Sequence, residues 1–113
     1  MANLRWDDAT EITDVFAAIK HIDASDADAL ITLRTEEDGL LNLGSRYWLA
    51  VANKLLKDYP EHKMVLMVDA GDNAGLVQGA LADGHQYVRF TGDDEAFTAL
   101  ADIADQHDAK LIR

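Results

Sequence analysis

Residues 64–90, MVLMVDAGDNAGLVQGALADGHQYVRF, restrict the fold more than any other part of the chain. Met64-Val65-Leu66-Met67-Val68 is an apolar run without alternation, the pattern of a strand covered on both faces. Asp69, Gly71, Asp72 and Asn73 then supply turn geometry and helix N-cap candidates. Leu76, Val77, Ala80 and Leu81 form one helical stripe, Gly84 ends it, and Tyr87-Val88-Arg89-Phe90 reads as the next strand. A connection of that length predicts a parallel, right-handed β-α-β crossover. Gly75 and Gly79 cost the helix about 1 kcal/mol each against Ala, and the reading assigns them to close backbone packing against a neighbour.

The flanking segments repeat the same grammar. Leu4 and Trp6 suit an edge strand or a packed N-terminal arm. Ile12, Val15, Phe16 and Ile19 predict a helix over 8–22, with Asp8 and Glu11 in an acidic first turn. The turn at 23–28 has neither the glycine nor the terminal Glu of an EF-hand loop. A strand over 29–33 leads into the irregular segment 34–45, whose Leu40, Leu41 and Leu43 predict that it folds back on the body. Ser45 is the expected N-cap of a helix over 46–58. Trp48, Val51, Ala52, Leu55 and Tyr59 make one stripe of that helix, while Tyr47, Leu49 and Leu56 fall off it. Thr91-Gly92-Asp93-Asp94 opens the last helix, and 109–112 suit a closing strand. An internal match, Val68–Asp72 with Arg89–Asp93, fits one strand-turn-helix unit used twice. The expected fold is α/β: a single three-layer domain over 1–113, with about four mainly parallel strands flanked by helices and no linker.

Composition narrows the function classes. Twenty-one acids against ten Lys and Arg give a formal charge of -11, which repels phosphate backbones and anionic membranes. The expectation is no nucleic-acid partner and no membrane. Absence of cysteine removes disulfides, thiolate chemistry and cysteine-bound metals. With neither a signal peptide nor a long apolar run in the sequence, the default expectation is cytoplasmic.

Under this parse, Glu36, Glu37, Asp38, Asp69, Asp72, Asp93 and Asp94 all follow strands, on the rim where parallel sheets bind ligands. Two readings stay open for them. One is helix capping; the other is a Mg²⁺ site with Asp69 as first ligand and Asp72 or Asp93 helping. His21, His62, His85 and His107 follow helices instead, and are expected as surface residues complementing helix ends. Gly44-Ser45-Arg46 offers an anion site at a helix start, with Arg46 paired to Glu36, Glu37 or Asp38 as the competing account. Neither G-x-G-x-x-G nor a Walker A motif occurs.

Asp69 at a strand end is similar to the phosphoacceptor of response-regulator receiver domains, although no acidic pair ends the first strand and Lys110 begins its strand. Asp72-Asn73-Ala74-Gly75-Leu76 is similar to the Asp-Ser-Ser-Gly-Leu helix start of anti-sigma-factor antagonist domains, with Asn73 in place of the phosphorylated serine. Neither family is assigned. The sequence therefore supports a non-catalytic binding or regulatory module acting through protein contacts, with a Mg²⁺-dependent enzyme or phosphoacceptor as the alternative. A helix whose Tyr47, Leu49 and Leu56 leave the buried stripe also predicts a homo-oligomer formed through that helix.

Overall fold

A computed structural model describes residues 4–113. Five parallel strands form one sheet in sequential order: β1 (Thr10–Glu11), β2 (Leu30–Arg34), β3 (Lys63–Asp69), β4 (Tyr87–Arg89) and β5 (Lys110–Ile112). Between them run α1 (Val15–Asp23), α2 (Gly39–Leu43), α3 (Ser45–Asp58), α4 (Ala74–Asp83) and α5 (Asp94–Gln106). The α/β class and the parallel sheet follow the sequence reading; β1 raises the strand count from about four to five.

Sequential order has a geometric consequence. Each right-handed crossover lays its helix on the same side of the sheet. One core accordingly joins Ile31, Leu33, Val68, Val88 and Leu111 to Ala18, Ile22, Trp48, Val51, Val77 and Leu100 of the helices. The opposite face is covered by the segment Leu4–Ala9, which contains a single 3-10 turn at Trp6–Asp8. There Trp6 and Ala9 pack with Val65, Met67 and Ile112. β3 thus sends Val68 into one core and Val65 and Met67 into the other, which is why its sequence does not alternate. The expected packed arm is this segment.

Four local expectations need correction. The predicted helix over 8–22 begins only at Val15. Asp14, extended at φ -161°, caps it by accepting a hydrogen bond from Ala17 N at 2.9 Å. Thr10 and Glu11 instead pair with Leu33 and Arg34, and Ile12 N–H donates to Arg34 O at 2.8 Å. β-branched Thr10, Ile12 and Thr13 favour that extended start. Phe16 consequently lies outside the core, 76% exposed. Ser45 is not the cap of α3 but its first residue, and Gly44 occupies the cap position. The segment 34–45 is not irregular throughout, since it contains α2.

The fourth correction concerns α4. Asn73 caps it by accepting from Leu76 N at 3.1 Å, and Gly84, at φ 108°, ends it in the left-handed conformation glycine tolerates best. Close packing does not explain Gly79, however, because a Cβ built there meets nothing within 4 Å. Gly92 is the reverse case: a Cβ would overlap the Phe90 ring. Gly79→Ala should stabilise the fold by about 0.5–1 kcal/mol, as helix propensity dictates. Gly92→Ala should destabilise it; urea midpoints of the two variants check both signs.

Candidate functional site

The carboxyl-end rim is assembled from the residues just after β2 and β3. Thr35, fully buried, donates its N–H to Met67 O at 3.0 Å and accepts from Asp69 N on Oγ1 at 3.2 Å, locking the two strand ends together. Asp38 adopts a left-handed backbone, φ 61°, and its N–H reaches Asp69 Oδ2 at 2.6 Å. Glu37, Asp38, Asp69, Gly71, Asp72, Arg89 and Thr91 line a cleft of about 320 Å³. Asp69 is its buried member, 2% exposed, and its Oδ1 has no hydrogen bond. The nearest cation is Arg89, with Nη1 at 3.7 Å, an attraction beyond hydrogen-bond reach.

The sequence named Asp69, Asp72 and Asp93 as oxygen ligands for Mg²⁺. Asp69 and Asp72 do share the cleft. Asp93 instead caps α5, accepting from Ala96 N at 2.7 Å, so capping accounts for it. Among the described residues no three His, Asp or Glu side chains form a group that could hold a metal ion. Arg89 beside Asp69 also opposes a divalent cation at that carboxylate.

At Gly44-Ser45-Arg46, Ser45 Oγ is buried without a partner, and its carbonyl accepts from His85 Nε2 at 2.8 Å. Arg46 is exposed and enters no ion pair among the described residues, so the competing pairing with Glu36, Glu37 or Asp38 is not formed. The three residues line no cavity among those described.

On α3 the off-stripe residues divide. Leu49 and Leu56 line an apolar groove of about 120 Å³ together with Ala52 and Asn53, against Met64, Leu66 and Tyr87. Their spacing of i, i+3, i+4 and i+7 puts them on one helical face. Tyr47 is only half-exposed and packs edge-on against Trp48 at 5.0 Å, whose indole N–H donates to Gly39 O at 3.0 Å. Leu40 is buried, whereas Leu41, Leu43 and Leu56 are 65%, 48% and 54% exposed. The α2 leucines therefore fold back only in part.

Two features were not anticipated. His85 is buried rather than a surface residue, because α4 ends beside α3, where its Nε2 donates to the Ser45 carbonyl. Trp6 lies between two guanidinium groups, Arg34 at 4.9 Å and Arg89 at 4.7 Å from the ring centroid. Leu4 and Trp6 flanking Arg5 were its only sequence signal.

In comparisons with known proteins, no family model matches the chain, no curated protein matches it and no solved structure matches its fold. Among the described residues no helix is long and apolar enough to cross a membrane.

Burial lowers the pKa of His85 from its ordinary 6.5, outweighing the Ser45 carbonyl and the charge of Asp83, which raise it. The unfolded chain then binds the proton more tightly. Stability conferred by neutral His85 is complete above the unfolded value and is lost as pH falls from about 6.5 toward the lower folded value. Urea midpoints measured from about pH 7.5 down to 5.5 should decline in the parent, and decline less in His85→Gln, which keeps a donor for Ser45 O.

Proposed function

We propose that this chain is a non-catalytic binding or regulatory module acting through protein contacts, with α3 as its contact helix and a second copy as the first partner. The observation that carries the reading is Leu56, 54% exposed at a groove that Leu49, Ala52 and Asn53 line from the same helical face, with Leu55 beside them. Leaving such a leucine wet forgoes roughly 1.5–3 kcal/mol of burial. Leu41 and Leu43, just ahead of α3, are exposed as well. Charge supports a like partner. α3 carries Arg46, Lys54 and Lys57 against Asp58 alone, inside a chain of net charge -11. The cations of this helix can therefore meet an acidic patch on a second copy, and a two-fold pair is the commonest closed arrangement.

Sedimentation equilibrium at tens of micromolar protein tests this. The expected mass is that of two chains, returning to 12.4 kDa in Leu56→Asp. A parent that already sediments at 12.4 kDa removes the self-association reading.

A second reading, weak Mg²⁺ binding at the rim, rests on Glu37, Asp38, Asp69 and Asp72 lining one cleft, against the lack of any three-ligand group among the described residues. On that reading Asp72 and its exposed neighbours contact the ion, while Asp69, held by Asp38 N–H, shapes the floor. Millimolar Mg²⁺ should then shift backbone NMR signals within 69–73. Silence there discards both metal binding and phosphoryl chemistry at this rim.

A further inference from the structure

A third cavity, about 390 Å³, lies at the carboxyl ends of β4 and β5, between the Leu4–Ala9 segment and α5. Its volume is in the range of small-molecule sites. Trp6, Phe97 and Ile112 give it apolar walls, and Arg5, Arg89 and Arg113 bring three of the chain's five arginines to one place. Asp7 is the one acid in the lining. In a chain of net charge -11 such a concentration of guanidinium groups is not the background.

The charges are also positioned rather than loose. Arg89 lies 4.7 Å from the Trp6 ring centroid and Arg113 lies 4.1 Å from that of Phe97. Arg113 is paired to Asp94, whereas Arg5 enters no ion pair among the described residues. Arg89 is the telling case. Its side chain is only 19% exposed, its Nε is buried without a partner, and its ion pair with Asp69 spans 3.7 Å. That Nε is cut off from water without an acceptor, while the rest of the guanidinium keeps some exposure at the cavity. Asp69 already accepts from Asp38 N–H on its other oxygen, which holds the carboxylate at that distance.

We propose that this cavity binds a small organic anion with a flat apolar body, of the aromatic carboxylate class. Its carboxylate accepts from Arg89 and Arg5, and its ring packs against Trp6 and Phe97. Planar guanidinium groups match a carboxylate in two parallel hydrogen bonds, and aromatic walls select a flat body. This site is separate from the α3 contact surface and does not depend on it.

The test uses the full chain, ¹⁵N-labelled, at low salt, with naphthalene-2-carboxylate as probe and neutral naphthalen-2-ylmethanol as control. The expected result is saturable shifts of the Trp6 indole N–H and of the backbone signals at 89 and 113. Affinity for the carboxylate should exceed that for the alcohol by about tenfold or more, as a charge-assisted bidentate contact implies. Arg5→Gln, an exposed substitution outside any ion pair, should weaken the carboxylate by roughly threefold to tenfold and leave the alcohol unchanged. Absence of saturation, equal binding of acid and alcohol, or shifts confined to 49–56 would each overturn the proposal.

Discussion

The whole structure depends on Trp6 closing a face that the crossovers leave bare. With strands in sequential order, right-handed connections place every α-helix on one side, and the described residues contain no further α-helix for the other. Val65, Met67 and Ile112 would then face water. One short segment covers them, and its indole is 5% exposed. Arg34 and Arg89 flank that ring, each contact worth about 0.5–2 kcal/mol depending on desolvation. The apolar floor thus grades into the polar rim through two arginines that belong to both.

Those arginines connect regions that look separate in the sequence. Arg34 is tied to Glu11 at 2.9 Å, fastening short β1 to the sheet. Arg89 faces Asp69 on one side and Trp6 on the other, and it lines both the acidic cleft and the cavity at Trp6. A change at Arg89 is therefore felt at two places at once. The α3 groove lies apart from this system, on the helical layer. The α3 groove and the cavity at Trp6 are consequently different surfaces of the fold.

Legibility followed the strength of local signals. β3 could be read as doubly covered because Met64–Val68 contains no polar residue to mark a wet face. The ends of α4 were legible because Asn73 and Gly84 act through their own local geometry. The start of α1 was not, because Ile12, Val15, Phe16 and Ile19 also satisfy helical spacing while pairing with β2 decides the conformation of Thr10–Ile12. Tertiary contact overrode period there. The rim cleft was half legible: strand ends placed Asp69 and Asp72 correctly, but nothing local showed that Asp93 would be spent on Ala96. Trp6 and His85 escaped because their partners, Arg34 and Arg89 for one and Ser45 for the other, are distant in sequence.

Sequential strand order also bears on how the chain reaches this state. The pairs Thr10↔Leu33, Met67↔Tyr87 and Tyr87↔Lys110 each close a loop of about twenty residues, and Leu30↔Lys63 one of about thirty. Loop-closure entropy grows slowly at such separations, so each strand can dock as soon as its predecessor is in place. Trp6 is the exception, since its shelf includes Met67 and Ile112, the latter near the far end of the chain. The helical layer is built from elements adjacent in sequence, whereas the tryptophan shelf is complete only with β5 in place. Amide hydrogen exchange would register this as an N-terminal segment that opens at lower free energy than β3, the strand buried from both sides.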